Sequence, residues 1–248
     1  MSVSLSANLN AVALLRNRRG LAWPDLLDIA KQSCVAGAKG ITVHPRPDER
    51  HIKYQDVKDL REFLNKFFPQ HELNVEGFPD SKFLELIELV KPHQVTLVPD
   101  HPEQNTSDHG WDFKQQFNIL QPAINRLKQT SVRISLFCEY DSKNLIIAKE
   151  LGAHALEIYT GPYAANFNDL TYRKKYLKII TETATEIKKL GLHVHAGHDL
   201  TIENIPQLIS AFPDFTEMSI GHALIADALT FGIKNSIKRF LNVMNNIN

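Results

Sequence analysis

The sequence predicts a (β/α)8 barrel, on three observations. Short β-rich runs alternate with longer amphipathic segments from end to end, and eight strand–helix repeats suit a chain of 248 residues. The first turn, residues 10–16, contains no glycine, whereas a doubly wound open sheet ordinarily opens on a glycine-rich turn. No linker or shift in composition divides the chain, so residues 1–248 are expected to form one domain.

Strand one is expected over residues 3–9. A helix over 24–35 follows, in which Pro24 suits the first turn and Leu26, Leu27, Ile29 and Ala30 supply an apolar face. Gly37-Ala38 closes it before strand two, 40–44. Strand three, 72–76, precedes a helix over 81–90 with Phe83, Leu84, Leu86, Ile87 and Val90 at helical spacing. Strand four, 94–98, runs into the polar stretch 99–111, the longest irregular segment; such a loop in a compact fold is usually functional, often a lid. Strand five, 132–137, holds the apolar run Ile134-Ser-Leu-Phe137, as suits strands covered on both faces. Gly152-Ala153 repeats the helix-closing pair before strand six, 155–159. A helix over 174–190, strand seven over 192–196, strand eight over 217–220 and a helix over 233–244 complete the order.

Lys plus Arg (28) equal Asp plus Glu (28), and no clustered basic face is evident, which argues against a nucleic-acid partner. No stretch reaches the roughly 18–20 apolar residues that span a bilayer, and the N-terminus lacks a signal-peptide pattern. Two cysteines, Cys34 and Cys138, are too few for a disulfide framework. A cytoplasmic location is expected. Phe67, Phe68 and Trp111 read as packing residues.

In a barrel, chemistry gathers where strands give way to the loops that lead into helices. Those positions hold Asn8 and Asn10, His44 and Arg46, Glu76, Glu157, His195 and His198, Gly221 and His222. Polar groups facing into a barrel mouth are desolvated and need partners. His44 alone is equally consistent with a hydrogen-bonded structural histidine. Glu76, placed at a strand end before Gly77, is expected to point into the mouth with a raised pKa that suits proton transfer. Glu157 lies inside an apolar strand and is expected to have a cationic or hydrogen-bonded partner, either as a functional carboxylate or in a structural ion pair. His193-Val-His195-Ala-Gly-His198 invites a metal, but no further His or Cys cluster completes a ligand set, and none is expected. Gly221 ahead of a helix start after strand eight exposes backbone N–H groups to phosphate. Arg16, Arg18, Arg19, Arg46 and Arg50 are candidate phosphate donors, with solvated surface or a subunit contact as the alternative for several.

The chain resembles the pyridoxine 5′-phosphate synthase family nearly end to end. The resemblance rests on Leu15-Arg-Asn-Arg-Arg-Gly-Leu-Ala-Trp-Pro-Asp25, Gly40-Ile-Thr-Val-His44 with Arg46 and Arg50-His-Ile52, Asn74-Val-Glu76, Lys91-Pro-His93 with Leu97-Val-Pro99, Glu157-Ile-Tyr-Thr-Gly161, Ala196-Gly-His198 and Ile220-Gly-His-Ala223. It implies a barrel with extra helices, usually octameric, that needs neither metal nor organic cofactor. The implied reaction condenses 3-amino-2-oxopropyl phosphate with 1-deoxy-D-xylulose 5-phosphate to pyridoxine 5′-phosphate, phosphate and water. By the same resemblance His44 and Glu76 are proton acceptors, His198 a proton donor and Glu157 a transition-state stabiliser. Asn8, Arg19, Gly221 and His222 are implied contacts to the aminoacetone phosphate, and Arg46, His51 and Thr106 to the pentulose phosphate.

Three positions depart from the family pattern. Asn8-Leu-Asn10-Ala11 stands in place of Asn-x-Asp-His, which removes two implied contacts to the pentulose phosphate. Asp199 replaces a glycine near a substrate phosphate, and Pro45 and Pro47 flank Arg46. The alternative is therefore a non-catalytic or altered-substrate relative that binds a phosphorylated metabolite.

Overall fold

The computed structural model describes residues 3–100, 104 and 107–245. Eight strands close into a parallel barrel in chain order: β1 (Ser4–Asn8), β2 (Gly40–Val43), β3 (Glu72–Gly77), β4 (Gln94–Leu97), β5 (Arg133–Cys138), β6 (Ala155–Tyr159), β7 (His193–Gly197) and β8 (Glu217–Ile220). Each differs from its expected run by no more than one residue at either end. β8 pairs back onto β1 from Ser4–Glu217 to Ala7–Ile220, which closes the sheet and leaves no edge strand.

Helices cover the outside, and three strands are followed by two helices each among the described residues. These pairs are α1 (Asn10–Asn17) and α2 (Leu26–Ala36) after β1, α7 (Gly161–Ala165) and α8 (Leu170–Lys189) after β6, and α10 (His222–Phe231) and α11 (Ile233–Asn245) after β8. Single helices α3 (Tyr54–Phe67), α4 (Ser81–Val90), α5 (Phe117–Leu127), α6 (Leu145–Leu151) and α9 (Ile205–Ala211) follow the others. No helix among the described residues is long and apolar enough to cross a membrane.

Aspartates set several helix starts. Asp25 accepts the N–H of Leu27 at 2.9 Å, Asp80 that of Phe83 at 2.8 Å and Asp169 that of Thr171 at 2.8 Å. Two expected boundaries move for this reason. Pro24 lies one residue ahead of the cap rather than within the first turn of α2, and α8 begins behind Asp169 at Leu170 rather than at Lys174. Gly37 and Gly152 close α2 and α6 at φ 116° and 100°, the left-handed region that glycine enters without strain.

The two faces of the barrel differ. Leu5, Ile41, Leu73, Val95, Leu136, Leu156 and Met218 are fully buried in one apolar cluster shared with the helices. Alternate residues turn the other way and are small and polar. Ser6 and Thr42 share a hydrogen bond at 2.7 Å, Asn74 donates to Thr42 at 3.3 Å, and Thr96 donates to Asn74 at 3.0 Å. The expectation of strands buried among apolar neighbours on both faces therefore holds only outside. Ser6, Thr42, Asn74 and Thr96 thus form one hydrogen-bonded row across four strands, beneath the charged groups of the barrel mouth, whereas Ser135 Oγ in the same lumen has no partner among the described residues.

Candidate active site

The C-terminal ends of the strands open onto a cavity of about 270 Å³. Asn8 and Asn10 from the β1 end, His44, Arg46 and His51 after β2, Glu76 from β3, Glu157 from β6, His198 and Asp199 after β7, and Gly221 and His222 after β8 all line it. Two residues implied by resemblance are not brought there. Arg19 is exposed beyond α1 and does not line the cavity, because α1 ends before it and the following turn carries it outward. Thr106 lies outside the described residues.

Of the other arginines, Arg16 is spoken for by Asp56, with both guanidinium nitrogens at 2.7 Å from the carboxylate, and Arg50 pairs with Asp48 at 2.8 Å. Arg18 is exposed. Arg46 is the cation in the cavity wall, buried together with Asp100 in an ion pair. Asp100 and Ser107 belong to the site although the sequence reading did not single them out; the signal was their place in the long segment straight after β4. Trp111 is buried packing, stacked on Phe78 with its indole N–H donated to the carbonyl of Leu97 at 2.8 Å.

Asn10 shows what the altered first strand does. Its Oδ1 accepts the backbone N–H of His44 at 2.8 Å, and its own N–H donates to Asn8 Oδ1 at 3.0 Å. An amide oxygen thus ties the ends of β1 and β2 together without bringing a charge. Asn8 in turn donates to Glu76 Oε2 at 3.4 Å.

Burial sets the protonation of this cluster. Desolvation, with the charges of Asp100 and Glu217, pushes Glu76 up to about 8, against opposition from Arg46 and the Asn8 hydrogen bond. Glu157, nearly inaccessible to solvent, is driven well above the carboxylate range by burial, then by Glu76 and Glu217. The cationic or hydrogen-bonding partner expected for Glu157 is absent among the described residues. A neutral carboxyl needs no counter-ion, which is how the strand tolerates it.

The histidines shift the other way. Burial, then Arg46, lowers His44 well below its ordinary value and takes His51 to about 4. Burial also lowers His198, with Asp199 and Asp100 opposing. His51 Nδ1 accepts the N–H of Ile52 at 2.9 Å, so its proton sits on Nε2. His44 and His51 stand 5.9 Å apart, and His198 rests against Phe137 at 5.3 Å. At neutral pH these shifts favour protonated carboxyls beside neutral imidazoles, the inverse of their order in water.

Two features suit anions. Arg46 supplies a buried guanidinium. Gly221 caps α10 with no side-chain acceptor and no acidic residue in the first turn, unlike the Asp-capped helices, so N–H groups at a positive helix end face the cavity beside His222 and Ala223. Gly221 lies close against Asn8, where a β-carbon would stand 3.2 Å from its side chain. No group of three or more His, Cys, Asp or Glu among the described residues is arranged to hold a metal ion. His195, turned into the lumen, has an unpartnered Nδ1 that lies 3.9 Å from Glu217.

Comparison with known proteins identifies the family. A family model described as Pyridoxal phosphate biosynthesis protein PdxJ matches residues 5–246. The chain belongs to the PdxJ family. Among similar proteins, the pyridoxine 5′-phosphate synthase of Brucella abortus (strain S19) is 47% identical over 244 residues, 98% of this chain and 99% of that protein. That of Chelativorans sp. (strain BNC1) is 48% identical over 244 residues, 98% of each. Solved structures share the fold at low identity. Tryptophan synthase from M. tuberculosis superposes at a TM-score of 0.64 with 10% identity over 98% of this chain and 94% of that chain. Phosphoribosyl anthranilate isomerase from Thermus Thermophilus does so at 0.60 with 10% identity over 98% of each. The PdxJ relationship thus rests on sequence, and the distant structures speak for the barrel alone.

Proposed function

We propose that this PdxJ barrel condenses 3-amino-2-oxopropyl phosphate with 1-deoxy-D-xylulose 5-phosphate to pyridoxine 5′-phosphate, releasing phosphate and water. The observation that carries this reading is the convergence of His44, Glu76, Glu157 and His198 on one cavity that also holds Arg46 and the open end of α10. Amine and ketone must lose water to an imine, phosphate must leave, and the ring must close with loss of water again. Every step moves a proton, so groups that exchange protons near neutral pH are what the chemistry requires.

The α10 end, with Asn8 and His222, takes the aminoacetone phosphate. Arg46 and His51 take the pentulose phosphate. Each arriving phosphoryl group is a dianion, and its field raises the proton affinity of nearby imidazoles. Substrate binding thereby loads His198 for its role as donor. Glu76 and His44 accept protons from the reacting carbons and amine, and the Glu157 carboxyl lends a hydrogen bond to charge that develops between them. The methyl of Ala11 and the amide of Asn10 leave the pentulose seat to Arg46 and His51. Exposed Leu14, Leu15, Trp23, Leu229 and Phe231 on and near α1 and α10 support association with further copies of the chain, for which the family resemblance implies a homo-octamer, and two free, buried cysteines suit the cytoplasm.

Incubation of the purified protein with both substrates is expected to yield pyridoxine 5′-phosphate and one inorganic phosphate per product, followed by mass spectrometry. A folded protein that gives no product contradicts the reading.

A further inference from the structure

Arg46 and Asp100 form a buried ion pair that leaves both partners incompletely satisfied. Their side chains are each only 3% exposed. A single guanidinium nitrogen, Nη2, meets a single carboxylate oxygen, Oδ2, which also accepts the Ser107 hydroxyl at 2.7 Å. Arg46 Nε and Asp100 Oδ1 are buried with no hydrogen-bond partner. A forked, two-bond pairing is the favoured arrangement between these groups, and each buried orphan is an unpaid desolvation. The pair also lies in the wall between the active-site cavity and a second cavity of about 260 Å³ lined by Tyr54, Phe78 and Phe83, with Arg46 facing both.

We propose that Asp100 sets the specificity of the Arg46 seat: it is an internal anion that an incoming ligand must displace, so the seat admits phosphate dianions and rejects carboxylates. This rests on the reading that Arg46 holds the pentulose phosphate. A singly charged carboxylate exchanging with Asp100 gains nothing, because it replaces like with like. A phosphoryl dianion brings more charge and three oxygens, enough to satisfy Nε and Nη2 together. Pro45 and Pro47 restrict the backbone on both sides of Arg46 and so fix where its side chain starts, and the Asp100 carboxylate is the partner that yields. Asp100 is here a positioning residue and touches no reacting atom.

Calorimetric titration of the full protein with inorganic phosphate and with acetate tests this, alongside steady-state kinetics. Asp100→Asn is expected to bind phosphate about tenfold tighter, to begin binding acetate, and to lower KM for the pentulose phosphate while KM for the aminoacetone phosphate stays unchanged. Asp100→Ala serves if the amide variant folds poorly. Unchanged or weaker phosphate binding in a folded variant overturns the inference, as does phosphate bound to Arg46 in a wild-type crystal with the Asp100 contact intact. Arg46→Ala separates the two layers: if it leaves KM for the pentulose phosphate unaltered, the seat itself is misassigned.

Discussion

Glu157 occupies the space that a side chain at Gly197 would fill: a methyl group there would collide with Glu157 Oε1. β6 and β7 pair side by side with Glu157 opposite His195 and Tyr159 opposite Gly197, so the buried carboxyl leans across onto the neighbouring strand's glycine. Position 197 is therefore glycine for reasons of space rather than backbone freedom. Gly197→Ala is expected to destabilise the protein by about 1–3 kcal/mol and to displace the carboxyl. Chemical denaturation checks this, and combining the change with Glu157→Ala should recover most of the loss.

The pH–rate profile reports on Glu76. As a proton acceptor it works only once ionised, and burial raises its pKa to about 8. kcat/KM is expected to rise with an apparent pKa near that value, since this ratio reflects the free enzyme. A flat profile between pH 6.5 and 8.5 would place the essential base elsewhere.

His44→Asn and His198→Asn keep a polar group in place but cannot exchange a proton. Each is expected to lower kcat by about a hundred- to ten-thousand-fold while KM for either substrate moves little. Steady-state kinetics separate this from a binding role, for which KM alone would rise.

Stability should respond to pH in two opposed windows. His51, neutral in the fold to about pH 4, adds stability above its unfolded pKa, and this is lost as pH falls from about 6.5. Glu76 binds its proton more tightly folded than unfolded, so its stability is present at low pH and is lost as pH rises from about 4.5 through 8. Above pH 6.5 only the carboxyls still act, and melting temperature is expected to fall toward pH 8. Glu157→Gln should flatten that decline by roughly 1–2 kcal/mol, read from melting curves at each pH.

The barrel was legible because strands and helices differ in period and because Gly-Ala pairs punctuate the helix ends at Gly37 and Gly152. Helix starts were less so: Pro24 looked like an opening residue, yet a capping aspartate satisfies free N–H groups and proline only tolerates the position. The site was legible wherever a polar residue ended an apolar strand, as at His44 and Glu76. Asp100 was not, since its importance lies in a contact with Arg46 across 54 positions of sequence. The lone state of Glu157 was also hidden, because a sequence shows a buried carboxylate but not that its neighbours are acids.

Glu76 takes protons from the reacting carbons and amine held between two seated phosphates, and single-turnover measurement on Glu76→Gln tests this most directly. The account predicts that the variant binds both substrates with near wild-type affinity and forms pyridoxine 5′-phosphate at least about a hundredfold more slowly. Product formation at the wild-type rate by that variant would contradict it.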